Sequence, residues 1–280
     1  MNTAPMNPMK ILRPGRIAAF TVLLLGGIVM VTPLLFMLAT SLKTGGEVYE
    51  LAFLPRQPTL ANYVEILTRS PFGRWFGVSA AVATITTLSV LFFDSLIGYT
   101  LAKFRFRGRG IVFVAILSTL MIPTEMLIIP WYVMAKSMGW LDSLWGIMFP
   151  GMMSGFGVFL MRQFFLGVPD ELIDAARIDG LNEFQIFWQV ALPLVAPALS
   201  ALAIFAFLGN WTAFLWPLIV TTSPGLYTVP VGLASLSGEF QTDWEMIMTG
   251  ASIATLPTLL VFIVLQRNII NGIMLTGLKG

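Results

Sequence analysis

Two carboxylates, Asp94 and Glu125, interrupt otherwise uncharged apolar stretches of this 280-residue chain. An acid at membrane depth is expensive, so one that is kept pairs, reaches water or lines a solute path. Asp94 precedes Lys103 by nine residues, about 13 Å along a helix. It either pairs with a neighbouring helix or serves the path. Glu125 stands fourteen residues beyond Ile111, between Pro123 and Pro130. That is about 21 Å up a helix, one weakened by both prolines. It either accepts hydroxyl hydrogens in a central cavity or sits in the outer interface. Asn210, Trp211 and Trp216 pair an amide with aromatic faces, which suits a ligand with hydroxyls and CH faces; Trp equally suits an interfacial belt. Gly151, Gly155 and Gly157 read as close-packing positions. With no His and no Cys, imidazole bases, His-based triads and thiolate metal sites are excluded. No catalytic residue and no metal ligand is expected.

A different chemistry is written between Leu166 and Pro193. This stretch holds five acids, Asp170, Glu171, Asp174, Asp179 and Glu183, against one base, Arg177. Pro169 suits the first helical position, and Asp170 and Glu171 suit the positive end of a helix dipole. Gly180 suits a left-handed C-cap. Asn182 followed by Gln185 reads as a capping box opening a second helix. The first helix is too short to be stable alone in water and needs a packing partner. Ala175 and Ala176 leave room for another surface to approach closely. A helix lying on lipid normally has a basic polar face; this one is acidic, which favours a protein partner.

The elements that position these residues follow from composition. Hydrophobic residues make up 57% of the chain and charged residues 11%, and mean hydropathy is +0.85. A soluble domain carries roughly 25% charged residues. The chain therefore falls in the membrane class, all-α, with little room for a soluble domain and no sign of a nucleic-acid partner. Apolar runs long enough to cross a bilayer core of about 30 Å predict six spans, at about 17–42, 75–102, 111–135, 143–165, 197–221 and 246–266. The 55 uncharged residues from Phe184 to Gly238 are too long for one span; Pro193, Pro197 and the Ser223-Pro224-Gly225 turn divide them. A segment 1–16 precedes a membrane domain over 17–270, which contains the acidic loop 166–193; a tail 271–280 follows. The first span reads as a retained anchor. Eleven of the 16 Lys and Arg residues fall on the side that carries both termini and the acidic loop, which makes that side cytoplasmic. The helix near Asn62 to Thr68 and the acidic stretch Thr222 to Glu245 lie on the other side.

Asp174-Ala175-Ala176, three residues to Gly180, nine more, then Val190-Ala191-Leu192-Pro193 resembles the EAA loop of ABC importer permeases. Tyr99 to Arg109, Phe159 to Phe165, Phe205 to Val220 and the tail from Leu265 are similar to the carbohydrate-uptake branch, typified by the smaller permease of maltose-type systems. The chain departs from that branch at Thr212-Ala213, where Asn-Asp is usual, and at Asp94, where a small neutral residue is usual. The resemblance implies a type I importer fold in a bacterial inner membrane. It implies a second permease subunit, two cytoplasmic ATPase subunits that hold ATP and Mg, and an extracytoplasmic solute-binding protein. Asp174, Ala175, Ala176, Arg177, Asp179, Gly180, Leu192 and Pro193 would form the ATPase-docking loop. Glu125, Asn210, Trp211 and Asp94 would lie along the path of a sugar or polyol, glycerol phosphate being possible too. The chain has no G-x-x-x-x-G-K-[ST] of its own, so no P-loop. An ion-coupled transporter using Asp94 and Glu125 is the alternative, and it leaves the acidic loop unexplained.

The Lys/Arg bias makes a direct prediction. Cysteine placed by Thr59→Cys or Thr242→Cys in this Cys-free chain should react with an impermeant thiol reagent added to sealed cells, and Asn182→Cys should not. Labelling at Asn182→Cys from outside reverses the orientation.

Overall fold

The computed structural model describes residues 14–50, 52–238 and 242–277. Lys10, Arg13 and Lys279, which carry part of the charge bias at both ends, lie outside the described residues. The described chain is helical; one isolated bridge joins Ser237 and Thr242. Three helices are long and apolar enough to cross a membrane: α1 (Pro14–Ser41), reading from Ala18; α3 (Phe72–Lys103), which follows the short α2 (Ala61–Arg69); and the C-terminal helix, which enters at Trp244. Three further apolar stretches are bent pairs. Up to six spans therefore arise, half of them broken.

The bends correct the picture of straight spans. The third apolar run forms α4 (Arg109–Thr119), a 3-10 turn Thr124–Leu127, and α5 (Ile128–Ser137). Its two arms meet at 96°. Pro123 lacks an amide hydrogen and biases Ile122 away from helical geometry, so the helix stops there. Glu125 thus lies in the 3-10 turn at the elbow, not within an α-helix. The fourth run contains α6 (Leu144–Met148) and α7 (Gly155–Leu166), separated by a turn through Pro150 and a 44° bend. Next come α8 (Asp170–Ile178), α9 (Glu183–Gln185), a π-helical turn Ile186–Ala191 and α10 (Leu192–Leu194). The segment Glu183–Leu194 meets α11 (Ala196–Trp211) at 86°. The 16 residues of α11 are about 24 Å long, and α12 (Leu215–Val220) extends the same apolar stretch after a break at Thr212. Then α13 (Val229–Ala234) precedes α14 (Trp244–Gly277).

α3 is the spine. Its first turn puts Phe72 and Trp75 in a cluster with Ile66, Val229 and Leu233. Its middle puts Val82 against Ala135, Ile147, Met148, Trp216 and Val220. Its last turns put Val90, Tyr99 and Ala102 against Met161 and Phe165 of α7, Ile173 and Ala176 of α8, Ile186 and Phe187, and Ala198 and Leu202 of α11. Gly98 permits the close approach to α7: a Cβ there would lie 2.8 Å from the Arg162 amide nitrogen and 2.9 Å from Met161 Cβ. α1 instead leaves Val22, Leu25, Val29 and Met30 exposed, as a helix facing lipid does.

Candidate functional site

The acidic stretch folds as two helices held at a fixed angle. The left-handed turn falls on Gly180, at φ 86°, where a Cβ would be strained. The Leu181 amide donates to Ala176 O and the Gly180 amide to Arg177 O, both at 3.1 Å. That is a Schellman end, and its apolar partner Leu181 packs on the core around Tyr99. The capping box is complete: Gln185 N donates to Asn182 Oδ1, and Asn182 N to Gln185 Oε1, each at 2.9 Å. Pro169 takes the N-cap rather than the first helical position. Arg177 bridges both helices, donating to Asp174 at 2.7 Å and Glu183 at 2.8 Å. Its pKa is raised, chiefly by the Glu183 hydrogen bond. Pro193 follows the π turn, in which the Leu192 amide donates to Phe187 O.

α8 has two faces. Ile173 and Ala176 are buried in the core shared with α3 and α7. Leu172, Ala175 and Ile178 share the other side, since residues three apart are neighbours on a helix. Ala175 is exposed, and Ile178 is 87% exposed. The expectation that both alanines face a partner is therefore corrected: Ala176 faces the chain's own core, because i+3 from Ile173 lies on the buried side. Leu172 and Ile178 add exposed apolar surface to that side, and the one sequence signal for it is the adjacent pair Leu172-Ile173, which cannot turn fully to the same side. Asp179 is exposed at the turn, and Leu192 is half-buried against the inner cluster.

Lys103, the last residue of α3, reaches the start of this loop. Its side chain is only 6% exposed. Nζ donates to Val168 O at 2.5 Å and Asp170 Oδ1 at 2.6 Å. Asp170 is held below the usual carboxylate range, first by that hydrogen bond and then by the lysine charge.

The residues expected along a path are not gathered into one site. Asp94 is fully buried. It accepts from the Ser154 amide at 3.1 Å and from Ser154 Oγ at 2.8 Å, a carboxylate at the N-terminus of α7. Ser154 Oγ in turn caps Gly157 N at 2.9 Å. Ser89, also on α3, donates to Met152 O at 2.8 Å. The bend in the fourth run is thus satisfied from α3 on both sides. A Cβ at Gly157 would lie 2.1 Å from Asp94 Oδ2, and one at Gly151 would lie 2.4 Å from Asn210 Oδ1. Asn210 joins Ser154, Phe156 and Phe205 around a groove of about 240 Å³. Trp211 turns the other way: it is buried, its indole donates to Ala254 O at 3.0 Å, and it stacks on Phe207. Trp216 donates to Gly146 O. Glu125 is exposed in its elbow. On the α2 side, Asp142 clips the α5–α6 connection to the chain after α12 by accepting from the Thr222 and Ser223 amides, each at 2.9 Å, and from Ser223 Oγ. Those bonds, Ser223's first, lower its pKa. No local sequence signal announces that clip.

The model of inner-membrane components of binding-protein-dependent transport systems matches residues 94–273. The chain belongs to this family. AraQ, an arabinooligosaccharides transport system permease of Bacillus subtilis (strain 168), is 35% identical to it over 270 residues, 95% of this chain and 96% of AraQ. UgpE, an sn-glycerol-3-phosphate transport system permease of Agrobacterium fabrum, is 32% identical over 273 residues, 93% of this chain and 96% of UgpE. A crystal structure of a bacterial ABC transporter involved in the import of the acidic polysaccharide alginate shares the fold. Its TM-score is 0.79 at 23% identity, over 94% of this chain and 99% of that one. The protein is thus a multi-pass inner-membrane permease of an ABC-type importer and not an enzyme, which sets the ion-coupled alternative aside.

The geometry at Asp94 makes a prediction for the permease. Asp94→Leu removes the acceptor for a buried amide and hydroxyl and should lower stability by about 1–3 kcal/mol. Asp94→Asn keeps an acceptor and should lose less than half of that. Thermal unfolding of the solubilised transporter reads both; equal losses would show that the Ser154 bonds contribute nothing.

Proposed function

We propose that this permease forms, with a second permease subunit, the path by which a sugar or related polyol crosses the inner membrane, and that α8 is the coupling helix seated on a cytoplasmic ATPase subunit. The observation that carries the reading is the division of α8. One side is fused to the core of the membrane helices, while Ala175 and Ile178 on the other stand uncovered beside exposed acids. An exposed apolar face on a short helix is stabilised when a partner covers it. Asp174 and Arg177 set the helix angle through Glu183; Asp179 and Gly180 end the helix; Ala176 anchors it; Leu192 and Pro193 lead into α11. ATP and Mg would be held by two ATPase subunits, and the solute delivered by an extracytoplasmic binding protein. Closure of the ATPase pair would move α8, and the shared core would carry that motion into α3, α7 and α11, switching access from one side to the other. The arabinooligosaccharides transport of AraQ and the glycerol-3-phosphate transport of UgpE support the solute class. Asn210 and exposed Glu125 are the polar groups best placed along a path; Asp94 and Trp211 act by holding its walls.

The coupling face gives the test. Ala175→Asp adds volume and charge at a close-packed contact, and overpacking alone costs roughly 1–3 kcal/mol. Gly180→Val forces a β-branched residue to positive φ, a strain of about 1–3 kcal/mol. Both variants should reach the membrane at ordinary levels, lose uptake, and either release the ATPase subunits or leave hydrolysis unresponsive to sugar-loaded binding protein. ATPase co-purification and stimulated hydrolysis in reconstituted complex read this. Wild-type association, stimulation and uptake in both variants sink the coupling assignment, and stimulation only by glycerol phosphate-loaded binding protein moves the solute class.

A further inference from the structure

The connection between α7 and α8 is Gly167-Val168-Pro169. The Gly167 and Val168 amides close the end of α7 on Phe164 O and Phe165 O, at 3.0 and 3.2 Å. Pro169 has no amide hydrogen to continue that ladder, so main-chain bonding does not carry rigidity from α7 into α8. Lys103 spans this gap. Its buried amine donates to Val168 O just before the proline and to Asp170 Oδ1 just after it. Its own backbone closes α3, whose end is tied to α7 by Arg162 Nε donating to Leu101 O at 3.3 Å. A lysine side chain this buried is tolerated where its amine is paired, and both of its partners belong to the joint.

We propose that Lys103 is a positioning residue that fastens the first turn of α8 to the end of α3, so that movement of the loop displaces α3 instead of being absorbed at Gly167-Val168-Pro169. The inference rests on α8 being the coupling helix. It adds that the polar strut, and not the apolar contact alone, sets how much solute moves for each ATP hydrolysed.

The complete transporter in proteoliposomes tests it, by solute taken up per ATP hydrolysed. Lys103→Met keeps the buried stem and removes the donors. It should retain ATPase association and hydrolysis while the transport ratio falls about tenfold, within the usual range of coupling energies. Lys103→Arg still presents donors to both acceptors and should recover most of the ratio. Asp170→Ala, a change at an exposed side chain, should give a smaller fall because the Val168 bond survives. An unchanged ratio in Lys103→Met overturns the proposal, as does ATPase release in parallel with lost uptake, which would make Lys103 part of the docking surface. If Lys103→Met does not accumulate, Asp170→Ala decides: an unchanged ratio there overturns the strut. Failure of the coupling assignment itself is distinguishable, since it would show as undisturbed ATPase association and stimulation in Ala175→Asp.

Discussion

A backbone amide or carbonyl left unpaired in hydrocarbon costs several kcal/mol, and this chain breaks three of its apolar stretches. The fold can tolerate those breaks only where something else supplies the missing hydrogen bonds. For the fourth run the supplier is α3, whose Ser89 takes up the Met152 carbonyl and whose Asp94 takes up the Ser154 amide. That requirement explains why α3 is unbroken over 32 residues: a helix that repairs its neighbours keeps its own ladder intact. It also explains Gly157, the residue beside Asp94 that has no side chain to displace it. The acid and the glycine form one feature.

The same helix carries the chain out of the bilayer. At its C-terminal end the packing changes character. Within lipid, helices associate through close contact and hydrogen bonds, without a hydrophobic driving force. At the water boundary, burial of Ile173, Ile186 and Phe187 gains the full hydrophobic effect, about 1.5–3 kcal/mol for each fully buried side chain. The loop is therefore held firmly by a few apolar residues, while its polar groups are left to set direction: Arg177 between two acids, Lys103 across the proline joint. Stiffness on the inner side and exposure on the outer side are what the proposed coupling role requires. At the opposite face, Asp142 closes a comparable polar clip between segments far apart in the chain.

The residues of the acidic loop show how far local signals reach. Gly180, Asn182 and Gln185 specify a C-cap and a capping box within a few positions, so the two-helix form was legible without a fold. The class of protein was legible for a similar reason, because apolar run length and scarce charge are properties of each stretch by itself. The spacing from Asp174 to Pro193 carried the family. Apolar length did not disclose the bends: a run of uncharged residues satisfies a hydropathy count whether it is straight or turns by 96° at Pro123.

Burial and partnership were decided by tertiary structure alone. Asp94 and Glu125 are alike in the sequence, an acid in an apolar run, yet one is sealed against Ser154 and the other lies exposed in an elbow. Ala175 and Ala176 are adjacent and identical, and only the position of Ile173 against α3 determines which of them faces outward. Lys103 reads as a loop charge until Val168 and Asp170 are brought to it. Caps and periodicity arise from residues within one or two helical turns, so the chain states them directly. The partners of Asp94 and Lys103 lie 60 and 67 positions away, and no local pattern links residues that meet only when separate helices pack.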